Sequence, residues 1–208
     1  MLSYQHAYHA GNRADVHKHG ALCVLLSRMA EKPRPFHYLE THAGRGLYNL
    51  ASTESRKTGE AQLGILKHLA AGIPPKGHPY RTVLEQIKAK HGETFYPGSP
   101  LIAHSLLGND CPMDLMELHP AEFEGLKHNL RHTQAKLHKL DGYEGVLALS
   151  PPPPGHPRRG RVFIHPRVKV NSGYLDAADF GLALLHQWTK GVFWLWDRVF
   201  GAVAELGR

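Results

Sequence analysis

The chain has 208 residues, a formal net charge of +7 and a pI near 9.5, with 42% hydrophobic and 21% charged residues. This length and balance suit one globular domain with at most a small insertion. They exclude a disulfide-stapled scaffold, since Cys23 and Cys111 are the only cysteines and form no CxxC pattern, and a membrane-spanning helix, since the longest apolar run is Gly191 to Trp196.

In chain order, the N-terminus MLSYQHAYHAGNRADVHKH is polar and lacks an apolar stretch of signal-peptide length, so residence in the cytoplasm is expected. Asn12 or Asp15 can cap a helix over 15–31, with Val16, Leu22, Leu25, Leu26 and Met29 spaced for one face and Pro33 and Pro35 ending it. Phe36 to Glu40 reads as a strand, followed by the loop Thr41-His42-Ala43-Gly44-Arg45-Gly46. Residues 52–95 read as a helical insertion within the single domain 1–208: two helical patterns flank the loop GIPPKGHP. FYPGSP then turns into a short helix from Ser99.

Met113 to Glu117 predicts a second strand, and Pro120 begins a helix reaching about His132. A third strand near 136–140 delivers Asp141. The segment SPPPPGHPRRG is a stiff, exposed connection, or a ligand for a proline-binding partner or RNA, and leads to a strand at 161–165. A helix over 174–188 and a fifth strand from Gly191 to Trp196 complete the pattern. Strands alternating with helices predict an α/β fold with a parallel sheet and helices on both faces.

Ligands of open parallel sheets bind beyond the carboxyl ends of the strands. Glu40, Glu117 and Asp141 fall at three such ends, the first followed by Gly44 and Gly46, which permit close backbone approach. Glu117 is placed to accept both hydroxyls of a ribose, and Asp141 to accept from an adenine amine; each is also readable as a helix cap. A dinucleotide fingerprint would need a third glycine where Asn49 stands, so a nucleoside without a pyrophosphate fits better than a nicotinamide cofactor. His6-x-x-His9 and His17-x-His19 allow a metal reading, but no cysteines or clustered carboxylates complete a ligand set, so no metal is expected. The positive charge favours polyanions by counterion release.

The run Tyr4, His6, His9, Ala10, Gly11, Asn12, Ala14, Asp15, Val16, Lys18, His19 resembles the N-terminal motif of the ribosomal RNA large subunit methyltransferase J family. The resemblance continues through THAGRGLY (41–48), FYPGSPLIA (95–103), ELHP (117–120), DG (141–142) and RRGRVFI (158–164). It implies a Rossmann-like methyltransferase sheet dependent on S-adenosyl-L-methionine (SAM), and methylation of the six-amino group of an adenine in 23S rRNA, protein-free or partly assembled, by a monomer. It implies that Lys18, His19, His42, Gly44, Ser99, Glu117, Asp141 and Gly142 line the SAM site. Tyr4, His6 and His165 would serve the target adenine. Arg158, Arg159, Arg161 and Arg167 would contact phosphate, and the insertion would offer RNA a further surface.

The chain departs from the family where His165-Pro166-Arg167-Val168 replaces Asp-Pro-Pro-Tyr. The acid and a proline carbonyl of that motif accept the hydrogens of the amine, and the aromatic ring stacks on the base. Glu40 and Arg45 stand where the family usually has Asp and Ala, Arg45 adding bulk near the SAM loop, and Trp194 to Arg198 replaces an ALWYP-like segment. The last strands of the family's sheet are expected to be missing after Arg208. Two readings follow: an enzyme using His165 as a weaker acceptor, or a catalytically silent derivative that still binds SAM or RNA.

Overall fold

The computed structural model describes residues 5–31, 34–154, 157, 159–164 and 172–196. Tyr4, Arg158, His165, Arg167 and Val168 lie outside the described residues.

Helix α1 (Arg13–Ala30) is capped by Asn12, whose side chain accepts from the Asp15 N–H. That settles the two candidates: Asp15 is inside the first turn, with its carboxylate turned elsewhere. Strand β1 (His37–Glu40) is buried at all four positions, as a central parallel strand covered on both faces must be. The chain continues through β2 (Leu47–Asn49), α2 (Thr53–Thr58), a π-type turn (Gln62–Leu66), α3 (Lys67–Ala70), α4 (Pro79–His91) and β3 (Phe95–Pro97). Then come α5 (Ser99–Leu107), β4 (Met113–Met116), α6 (Pro120–Asn129), β5 (Lys136–His138) and α7 (Gly142–Ala148). Strand β6 (Gly160–Ile164), α8 (Ser172–Gln187) and β7 (Gly191–Leu195) follow.

Five strands form one parallel sheet in the order β5-β4-β1-β6-β7. The chain winds outward from β1 in one direction and then in the other, which makes the sheet Rossmann-like and places its switch point at β1. Side-chain alternation divides the core. Tyr38, Leu115 and Phe163 pack with Leu22 and Leu26 of α1 and Ile102 of α5. Leu39, Met116 and Val162 face Val146 of α7 and Phe180 and Leu184 of α8.

Two elements escape the hydrophobic pattern. Strands β2 and β3 pair antiparallel over three residues each, too few to carry a period. The pairing is extended by Gly98 N–H to Gly46 O and Leu50 N–H to Thr94 O, both 2.8 Å. The intervening helices therefore leave and rejoin the sheet domain at adjacent points. Helix α7 holds two glycines in seven residues and starts because Asp141 caps it, Oδ1 accepting from Tyr143 N–H at 2.9 Å and Glu144 N–H at 3.2 Å. No helix among the described residues is long and apolar enough to cross a membrane.

Gly160 opens β6 directly beneath the Trp188 ring: a Cβ there would stand 1.4 Å from the ring. Gly160→Ala forces Trp188 out of its core, so its unfolding free energy is expected to fall by about 1–3 kcal/mol, read as a lower urea midpoint at unchanged slope.

Candidate active site

The N-terminal segment packs against α2, and one buried carboxylate on α1 ties it to that helix. Asp15, 2% exposed, accepts from His6 Nε2 at 2.8 Å and Gly11 N–H at 3.0 Å through Oδ2, while Lys18 Nζ lies 2.8 Å from Oδ1. Burial pushes the Asp15 carboxyl up, but His6, Lys18 and His19 outweigh it and hold it well below its ordinary value. Lys18 is itself buried, so its charge is matched at close range. His6 also sets its ring edge against Tyr48, centroids 5.2 Å apart.

One turn on, His19 is buried, and its Nδ1 lies 2.7 Å from the Tyr96 hydroxyl, which in turn lies 2.8 Å from that of Tyr80. Burial, then the charge of Lys18, depresses the His19 pKa and keeps the ring neutral. Its Nε2 is buried without a hydrogen-bond partner among the described residues. A buried polar atom of this kind is normally paired, so it marks a place for a ligand group.

At the end of β1, Glu40 is fully buried and accepts from the Ser99 hydroxyl and, at 3.0 Å, from Tyr38. Burial pushes its carboxyl up to about 7, against the lowering by Ser99, Tyr38 and Lys18. A carboxyl whose folded pKa is raised binds its proton more readily in the folded state, so stability falls as pH rises through the window. Relative to Glu40→Gln, the unaltered chain is expected to lose on the order of 3 kcal/mol between pH 4.5 and 7, with no further change above, in urea unfolding across pH.

The loop after β1 turns on Gly44, at φ 63°, where a Cβ would meet the Tyr48 hydroxyl at 2.4 Å. Glu117, buried just past β4, holds this loop: Gly44 N–H donates to Oε2 and His119 N–H to Oε1, each at 2.8 Å. His42 pairs with Thr41 at 2.8 Å and meets the Tyr143 ring edge-on. Gly142 begins α7 hard against β1, since a Cβ there would lie 2.0 Å from Thr41 O. Lys18, His19, His42, Gly44, Ser99, Glu117, Asp141 and Gly142 thus gather around one end of the sheet. His6 joins them through Asp15.

One arginine expectation needs correction. Arg45 does not crowd the loop: its guanidinium turns to Glu122 on α6 in a bidentate pair at 3.0 and 2.6 Å, above Gly125. Of the expected phosphate contacts, Arg159 precedes β6 and Arg161 is its second residue, about 10–17 Å of strand from the end at which the site lies. The histidines of the metal reading have separate partners: His9 pairs with Glu60 at 2.7 Å, and His17 packs on the Trp196 ring.

The family described as ribosomal RNA large subunit methyltransferase D, RlmJ, matches residues 33–202. Ribosomal RNA large subunit methyltransferase J of Escherichia coli K12 is 36% identical over 199 residues, covering 94% of this chain and 70% of the relative. Its namesake in Haemophilus influenzae is 38% identical over 177 residues, covering 84% and 62%. The chain belongs to the ribosomal RNA large subunit methyltransferase J family.

A crystal structure of protein LPL1258 from Legionella pneumophila superposes with a TM-score of 0.80 at 33% identity, covering 91% of this chain and 70% of that one. The chain thus spans between 62% and 70% of the lengths of these three relatives. The methyltransferase J fold explains the sheet order and the gathering of site residues at the switch point. Asp15, expected as a candidate helix cap within the N-terminal motif, is instead the carboxylate on which His6, Gly11 and Lys18 converge. The sequence signal for this ion pair is the Asp15–Lys18 spacing of one helical turn.

Proposed function

We propose that this chain transfers a methyl group from SAM to the six-amino group of an adenine in 23S rRNA, protein-free or partly assembled, acting as a monomer in the cytoplasm. The observation that carries this reading is the gathering of a neutral, unsaturated His19, the Glu40–Ser99 pair and the Glu117-anchored glycine loop at the switch point of the sheet. SAM supplies a methyl group activated by a sulfonium. The residues present fit it. With Tyr96 donating to Nδ1, the His19 Nε2–H is aimed to donate to a carboxylate; with the reverse tautomer it accepts from an ammonium. Either serves the amino-acid end of SAM.

Glu117 accepts from the ribose, and Asp141 takes the adenine amine at the start of α7. Gly44 lets the backbone come close. Lys18 would repel a sulfonium were it not neutralised by Asp15 at 2.8 Å. His6, fixed by Asp15 and Tyr48, forms with Tyr4 the wall of the target-base pocket. His165 accepts one hydrogen of the amine. For the RNA, the helical insertion 52–95 offers a further surface: His68, Ile73 and His78 line a cavity of about 590 Å³ between it and Arg13 and His17 of α1.

The silent-derivative reading rests on residues 165–168, and no feature of the described residues favours it. The test is transfer of labelled methyl from SAM to 23S rRNA lacking the modification. Label in N6-methyladenine after nuclease digestion is the expected result. Label absent with the unaltered chain, shown to be folded, overturns the reading, whether or not its His165→Asp variant transfers.

A further inference from the structure

At the end of the sheet away from the candidate active site, four arginines meet. Arg28 near the end of α1, Arg34 before β1, and Arg159 and Arg161 at β6 line a pocket of about 320 Å³ together with Glu31 and Phe36. Glu31 is the one acid in this lining, and Arg28 already holds it, at 3.3 and 3.4 Å. Four guanidinium groups against one carboxylate leave three unmatched. The carboxyl end of α1 offsets only about half an elementary charge.

Arg161 lies over the Phe36 ring at 5.6 Å and donates from Nη1 to Gly160 O at 2.9 Å. Its Nε is buried with no acceptor among the described residues. Burial, then the neighbouring charge of Arg159, depresses the Arg161 pKa, the mark of a cation lacking its counter-charge. A structural ion-pair cluster would interleave acids. This one gathers four guanidinium groups around a single carboxylate in a concave site.

We infer that this pocket binds a backbone phosphate of the RNA substrate, remote from the site of methyl transfer. The inference rests on the RNA reading above. Planar guanidinium forks match phosphate oxygens in twos, and a set of arginines is the protein group best suited to hold one. Arg28 lies about 15 Å beyond Lys18 along α1, at 1.5 Å per residue. RNA bound at both places runs along the flank of the domain, well past the nucleotides next to the target.

The test uses Arg34→Gln with Arg159→Gln in the full chain. Both side chains are exposed, so the fold is retained, checked by thermal unfolding. Affinity for protein-free 23S rRNA transcript is measured across salt, alongside methyl-transfer kinetics. The expected result is weaker RNA binding, a slope of log affinity against log salt shallower by about 1–2, and a raised KM for RNA with kcat and SAM affinity unchanged. Arg34→Lys with Arg159→Lys restores most of the slope.

An unchanged slope and KM overturns the inference, as does a fall in kcat alone. Inorganic phosphate that raises the Tm of the unaltered chain but not of the Gln variant, with RNA affinity equal in both, marks a small-anion pocket and also overturns it. The binding readout needs no methyl transfer, so failure of the enzymatic reading shows separately.

Discussion

The His165→Asp variant is expected to transfer methyl groups about 10²–10⁴-fold faster than the unaltered chain under single-turnover conditions. The adenine amine is a poor nucleophile because its lone pair is delocalised into the ring. An acceptor held at one N–H localises that pair toward the methyl group, and a carboxylate does so with a full negative charge. The same charge attracts the sulfonium, whereas a histidine is neutral at best. When protonated, it repels both the sulfonium and the amine, so the advantage of the variant widens as pH falls.

Restoring tyrosine at Val168 as well returns a stacking face worth about 1–3 kcal/mol. An equal rate for the unaltered chain and the variant would show that the 165–168 segment does not limit turnover. Transfer by the variant alone would make the unaltered chain a scaffold silenced at this position.

Asp15→Ala is expected to lower the unfolding free energy by about 3–5 kcal/mol, because it leaves Lys18 buried without its counter-charge. The same change removes the acceptor of His6 Nε2 and of the Gly11 N–H, so the N-terminal segment loses one of its ties to α1. Adding Lys18→Met to Asp15→Ala removes the stranded ammonium and recovers much of the loss in urea unfolding. Equal stability of the single and double variants would refute the account. SAM binding stays weak in both, since each lacks the carboxylate that positions His6 and the Gly11 N–H. The folded-state pKa of Asp15 is depressed, so its stabilisation is fully present above 3.8 and is lost as pH falls through the folded value. The gap between the unaltered chain and Asp15→Ala therefore narrows in acid.

Much of this was legible along the chain. Parallel strands buried on both faces read as apolar runs, and helix starts such as the Asn12 cap and Pro120 at the first helical position act within a few residues, so the order of the large elements follows from local chemistry. The acids at the strand ends were legible for the same reason, since Glu40, Glu117 and Asp141 each follow a strand pattern. The β2–β3 pair was not, because its register depends on residues nearly fifty positions apart.

The sequence by itself determined the class of fold, the lineage of the chemistry and the acids that follow the strands, all through short-range patterns and motifs. Only the tertiary structure decided what those residues do to one another. Glu40 is pushed up to about 7 by burial beneath Ser99 and Tyr38, and Glu117 spans from β4 to the Gly44 loop. Arg45 finds Glu122, and Arg159 and Arg161 fall at the far end of the sheet beside Arg28. Electrostatics and hydrogen bonding depend on distance in space and on exclusion of water. Neither quantity exists until the helices have closed over both faces of the sheet.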